Sequence, residues 1–163
     1  MPVQVELVTS HGPIVIEVDD VKAPISAANF LSYVDKGHYD GTIFHRVIDN
    51  FMIQGGGFNE KMTQKPTDAP IKNEWKNGLK NVRGSVAMAR TSDHDSATTQ
   101  FFINVADNSF LDQPRDGAGY AVFGKVVGGM ETVEIIRKIK TTTKSGMGDV
   151  PAVPVVIQSA RRL

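Results

Sequence analysis

Apolar and polar positions alternate from the first residues onward. Val3, Val5 and Leu7 fall on one side of an extended run over 3–9, with Gln4 and Glu6 on the other, and Ile14, Ile16 and Val18 repeat the pattern over 14–18. Ser10-His11-Gly12-Pro13 between them is turn chemistry. The two runs therefore predict an antiparallel hairpin with one face in water, and put His11 at its tip rather than in a ligand set. The period then changes. From Pro24 to residue 36, Ala27, Phe30, Leu31 and Val34 recur at helical spacing. A first-turn proline sacrifices no hydrogen bond, and Gly37 is a fitting stop. His38 follows, where a cation would suit the negative end of the helix.

Residues 42–48 and 51–54 read as a second hairpin about Asp49-Asn50, closed by Gly55-Gly56-Gly57. The polar stretch 59–83 shows no periodicity. Its length suggests a functional loop or a covering lid, with Trp75 as the anchor that packs it down. Strands are expected over 85–89 and 100–105, separated by a polar loop over 90–99. A second loop over 106–119 precedes a strand over 120–127. A helix over 130–139 carries Val133, Ile136 and Ile139 on one side; a loop over 140–154 and a closing strand over 155–160 complete the chain. No βαβ rhythm is present. The pattern predicts a mainly β fold: a closed eight-stranded antiparallel β-barrel capped by two α-helices, since closure removes sheet edges. With no internal repeat or linker, residues 1–163 are read as one domain.

Composition narrows the function. Hydrophobic residues make up 40% and charged ones 22%, as in an ordinary globular chain. Lys plus Arg and Asp plus Glu both number 18, and this balance argues against nucleic acid or an anionic membrane as an obligate partner. The absence of cysteine excludes disulfides, thiolate catalysis and Cys-ligated zinc. No apolar run approaches the roughly 20 residues that span a bilayer, and no basic-then-apolar signal pattern opens the sequence. The cytoplasm is the expected compartment.

The candidate chemistry centres on IFHRVIDNFMIQGGGF, residues 43–58. An arginine in so apolar a run has two readings: a surface ion pair, or a cation fixed beside a pocket. Apolar-plus-amide sets at 87–89 and 100–103, with Phe110-Leu111, suggest the pocket. His45 would point to the face opposite Arg46. The glycine triplet lacks the GK[ST] ending of a phosphate loop, and no helical pattern follows it. Ser92-Asp93-His94-Asp95 has no second ligand cluster, so a solvated loop accounts for it. No G-x-S-x-G elbow is present, and Ser85 has no evident base. Phe51, Phe101, Phe102 and Phe123 could all be core, although alternation forces Phe101 and Phe102 onto opposite faces.

FHRVIDNFMIQGG, SVAMAR, QFFINVADN and YAVFGKVVGGM together resemble the cyclophilin family of peptidyl-prolyl cis-trans isomerases, and PIKNEWKNGLKNVRG resembles its bacterial cytoplasmic branch. The likeness runs in order from Val3 to the last strand. It implies a barrel with a groove on its outer face, catalysis of X–Pro rotation that assists protein folding, and no cofactor or metal. By position, Arg46 matches the catalytic arginine, and Gln54 the glutamine that orients it. Phe51, Met52, Phe102 and Leu111 match the proline pocket, and Gln100 a second groove amide. Ala89 and Arg90 match the edge whose backbone bonds the substrate, with Thr91 near the neighbouring pocket. Phe110 stands where many eukaryotic members have tryptophan, so cyclosporin binding is expected to be weak. Tyr120 replaces a histidine and Arg90 an asparagine. The implied partners are proline-containing peptides and unfolded or folding proteins, bound by a monomer. A proline-peptide binding module without catalysis and a holdase-like chaperone are the rival classes, with a small hydrolase behind them.

Overall fold

In a computed structural model, which describes residues 2–112 and 117–163, β1 (Val3–Thr9) and β2 (Gly12–Val18) form the expected hairpin. Val5, Leu7, Ile14, Ile16 and Val18 are all fully buried, and His11 is an exposed turn residue. Helix α1 (Pro24–Asp35) buries Ala27, Phe30, Leu31 and Val34. Ala23 supplies no side-chain cap to it. Glu74 does so from far along the chain, accepting from the Ile25 N–H (3.2 Å) and the Ser26 N–H (2.6 Å). The helix ends where Gly37 takes a left-handed φ of 72°. His38 is held at that end by its neighbours. Its ring packs between Tyr33 and Tyr39, and burial pushes its pKa down.

The single strand expected over 42–48 is broken in two, β3 (Thr42–Ile43) and β4 (Arg46–Ile48), followed by β5 (Met52–Gly55) across the Asp49-Asn50 turn. Next come β6 (Ser85–Met88), β7 (Phe101–Asn104), a 3₁₀ turn (Ser109–Leu111) and β8 (Val122–Gly128). Helix α2 (Met130–Arg137), β9 (Thr141–Lys144), β10 (Met147–Pro151) and β11 (Val156–Arg162) follow. Nine strands make one strongly curled antiparallel sheet in the order β3-β11-β1-β2-β8-β6-β7-β5-β4.

The sheet corrects the expected eight-stranded closure. Its two edges, β3 and β4, are halves of one run, joined covalently through Phe44-His45 with no ladder between them. The seam is irregular: the Ile43 N–H donates to the Phe58 carbonyl (2.9 Å) and the Phe44 N–H to the Val155 carbonyl (3.0 Å). Gly55 is what lets β5 cross there, because a Cβ on it would lie 2.6 Å from the Ile43 carbonyl oxygen.

The 59–83 stretch has no helix or named strand. It is stapled against the chain leading into β8. Asn73 Nδ2 donates to the Gly119 carbonyl (3.0 Å), Asn77 Nδ2 to that of Val122 (3.0 Å) and Asn81 Nδ2 to that of Tyr120 (3.2 Å). Trp75 packs on Gly119 as the anchor. Of the expected 106–119 loop, 113–116 lie outside the described residues. The loop expected over 140–154 instead contains the β9–β10 hairpin, turned at Ser145-Gly146 with positive φ at both.

Two apolar clusters result. Phe30, Tyr39, Phe44, Phe101 and Phe123 fill the interior, while Met52, Ala87, Ala89, Phe102, Leu111 and Val122 cluster on the outer side. Phe101 and Phe102 do fall on opposite faces.

Candidate active site

The register carries one row of side chains across the outer face. Arg46 on β4 lies opposite Gln54 on β5, Gln54 opposite Phe102 on β7, and Phe102 opposite Ala87 on β6. The intervening Val47 and Ile53 point inward and are buried. Beside this row a groove of about 290 Å³ opens. Met52, Phe102 and Leu111 form its apolar floor. One wall is Phe51 stacked on Phe110, with ring centroids 5.6 Å apart and planes at 29°. The other is Tyr120, edge-on to Phe102 at 5.8 Å, with Ala89 and Arg90 above it.

Arg90 is held at that rim. Its guanidinium lies 4.5 Å from the Tyr120 ring centre and donates to the carbonyls of Thr91 (2.8 Å) and Ala118 (3.0 Å). Arg46 is exposed, and its guanidinium makes no side-chain hydrogen bond or ion pair among the described residues. The charged side chains lining the groove are these two cations; no carboxylate lines it among the described residues.

Ten of the twelve residues singled out from sequence line the groove, and two do not. Thr91 turns away, its hydroxyl donating to Ser96 Oγ (2.8 Å), because the 91–96 loop closes on itself. Gln100 sits next to a lining residue, accepting from Gln54 Nε2 (2.9 Å). Gln54 makes no hydrogen bond to Arg46 and is held by Gln100. Gly57 leaves the space for it, since a Cβ there would sit 2.6 Å from Gln100 Cγ and Nε2. The Ala89 N–H already donates to the Gln100 carbonyl (3.0 Å), so its carbonyl is the backbone group left for a ligand.

His45 faces inward against Phe58, 4.6 Å between ring centres. Burial, helped by the charge of Arg46, lowers its pKa to about 4, and its Nδ1 has no hydrogen-bond partner. It is neutral near pH 7 and cannot reach the groove. Asp93 accepts the Asp95 N–H within its own loop (3.0 Å), whereas Asp95 accepts the Asn73 N–H (2.8 Å) and so ties the 59–83 stretch to that loop. Among the described residues no group of three or more His, Asp or Glu is placed to hold a metal. A larger groove, about 800 Å³, lies between the 19–22 turn, the 79–82 segment and β8. Its Glu17 and Lys125 face each other at 3.9 Å, and it has no aromatic wall. Size alone does not select it.

The family model of cyclophilin type peptidyl-prolyl cis-trans isomerases matches residues 4–162. The chain belongs to the cyclophilin family. A peptidyl-prolyl cis-trans isomerase of Streptomyces antibioticus is 58% identical over 98% of both chains. The peptidyl-prolyl cis-trans isomerase B of Escherichia coli K12 is 56% identical over 93% of this chain and 94% of its own. A cyclophilin-type isomerase of Cryptosporidium parvum, solved in the presence of the dipeptide Ala-Pro, superposes with a TM-score of 0.82 at 26% identity, covering 97% of each chain. This cyclophilin is thus a peptidyl-prolyl cis-trans isomerase whose outer groove combines apolar walls, neutral amides and two guanidinium groups.

Proposed function

We propose that this cyclophilin binds proline-containing segments of unfolded and folding polypeptides in the outer groove, and that Arg46 accelerates rotation of the X–Pro bond by stabilising its twisted state. The observation that carries the proposal is the placement of the Arg46 guanidinium at the rim of an apolar floor made by Met52, Phe102 and Leu111. The planar amide resists rotation by roughly 18–20 kcal/mol, because resonance must be broken. As the bond twists, the proline nitrogen recovers its lone pair and becomes a hydrogen-bond acceptor. A donor fixed at that point bonds the twisted state better than the planar one, and only such differential binding speeds the step. No covalent bond is made or broken, and no proton need move.

Arginine suits the role because its planar fork stays protonated over the working range. The floor and the Phe51 wall grip the ring, while the Ala89 carbonyl is available to the preceding chain. The Ala-Pro dipeptide named with the Cryptosporidium relative fits such a ligand. Phe110 offers an apolar ring without a polar edge, which accords with weak cyclosporin binding.

Magnetisation exchange on an X–Pro peptide tests the reading. Catalysed exchange between cis and trans signals is the expected result; shifts that saturate without exchange would mean a binding module and overturn it.

A further inference from the structure

The groove-lining residues are of two kinds. Arg46, Met52, Gln54 and Phe102 stand on strands, where the ladder fixes them. Phe51, Phe110, Leu111 and Tyr120 stand on turns and loops, where no ladder does. Behind this second group lie three asparagines, each 4% exposed or less: Asn81, Asn104 and Asn108.

Asn104 is the hub. It follows Phe102 by two positions on β7 and therefore shares that ring's face of the sheet, opposite Met52. Its Nδ2 donates to Asn81 Oδ1 (3.0 Å) and Ser85 Oγ (2.9 Å), and its Oδ1 accepts from Asn108 Nδ2 (2.7 Å). The outer bonds reach the groove walls. Asn108 Nδ2 also donates to the Phe51 carbonyl (2.8 Å). Asn81 Nδ2 donates to the Tyr120 carbonyl (3.2 Å) and to Oδ1 of Asp112 (2.9 Å), the residue after Leu111. The Asn108 N–H in turn donates to the Asn81 carbonyl (2.8 Å). Buried amides so fully engaged are held in one orientation, since each bond lost would leave a polar group dry.

We infer that Asn81, Asn104 and Asn108 are positioning residues of the proline groove, which set the backbones of Phe51, Leu111 and Tyr120 relative to the strand-borne Phe102 and so fix the groove's width. The inference rests on the reading of that groove as the proline site. None of the three lines the groove itself. A merely structural role would lower stability and leave affinity in the folded protein alone; a positioning role changes affinity and the wall rings together.

The test is Asn104→Leu, which removes the hub, set beside Ile14→Val on the inner face of β2, both studied well below their melting temperatures. For an Ala-Pro peptide, Asn104→Leu is expected to raise Kd about fivefold or more, as loss of preorganised walls should. It should also move or broaden the Phe51, Phe110 and Tyr120 ring signals of the free protein. Ile14→Val should leave both readouts unchanged. Asp112→Ala cuts one outer tie at a partly exposed position and should act in the same direction, more weakly; it decides the matter if Asn104→Leu does not fold. Wild-type affinity together with wild-type ring signals in these variants would overturn the inference. A wild-type protein that bound no proline peptide would sink the groove's reading instead, and the ring signals of the free protein would still decide for or against the triad.

Discussion

Replacing Arg46 separates catalysis from stability more sharply than any other change in the groove. The side chain is exposed and makes no ion pair or hydrogen bond among the described residues, so Arg46→Ala removes no native contact of consequence. Surface changes of that kind stay within about 0.5 kcal/mol, or roughly 1–2 °C in melting temperature for a chain this size. Turnover should respond very differently. A charge-assisted hydrogen bond formed only to the twisted amide is worth about 1.5–3 kcal/mol, which is roughly 10- to 150-fold in rate. Arg46→Lys keeps the charge but loses the planar fork, so about a tenfold deficit is expected. The apolar floor is untouched, and peptide affinity should change little. Magnetisation exchange at saturating peptide gives the turnover, a shift titration gives Kd, and thermal unfolding gives the stability. If Arg46→Ala turned over within about twofold of wild type, the transition-state assignment would be wrong. A fall in turnover matched by an equal fall in affinity would also refute it, since Arg46 would then be binding both states alike.

Turnover by the folded protein should be flat between about pH 5 and 9, because arginine does not titrate there; a bell with limbs near neutrality would implicate a histidine. Stability, by contrast, should depend on pH through His45, held down from 6.5 to about 4 by burial. Between those values the unfolded chain takes up a proton that the native chain refuses. The His45 contribution is therefore full above 6.5 and falls as pH drops toward 4, by up to about 3 kcal/mol, and urea titrations at several pH values should show a steeper slope in wild type than in His45→Leu, which keeps only the smaller part due to His38. Gly57→Ala should displace Gln100, break its bond to Gln54 and, if that bond helps to shape the groove, lower turnover by about fivefold while the fold persists; unchanged turnover would show that the Gln54–Gln100 bond plays no part in the groove's action. Glu74→Ala should cost about 0.5–2 kcal/mol in thermal unfolding, as loss of a helix cap does, with no change in turnover.

What the sequence made legible was local. Alternation placed Phe101 and Phe102 on opposite faces, and the Asp49-Asn50 turn set β4 against β5, so Arg46 and Gln54 came together. The misses have physical reasons. The β9–β10 hairpin is mostly exposed, burying only Val150 and Pro151 at its base, and lacks an apolar alternation, although Ser145-Gly146 between Thr-rich and Met-led runs was a usable turn signal. The break at Phe44-His45 comes from the seam with Val155 and Phe58, contacts no local pattern encodes. The 59–83 stretch proved to be a strap and not a lid, since none of its residues lines the groove. Asn73, Asn77 and Asn81 hold it through carbonyls some forty positions away, and polar spacing alone does not reveal such partners. The Gln54–Gln100 bond spans 46 positions and was invisible for the same reason.

If Arg46 acts as proposed, the placement of the cation gives the floor a second role. The Arg46 guanidinium is exposed, and a hydrogen bond made in competition with water is weaker than one made in a dry site. The same bond strengthens when a proline ring and its flanking chain cover the guanidinium, because the local dielectric falls. On the proposed mechanism Met52, Phe102 and Leu111 would contribute to turnover indirectly, by drawing an apolar ring to the point where it excludes solvent from the donor. Neither a greasy cleft without Arg46 nor an arginine on a polar surface would achieve this. The curled sheet supplies both at once, since one cross-strand row carries the guanidinium, the amide and the aromatic ring from three successive neighbours in the ladder.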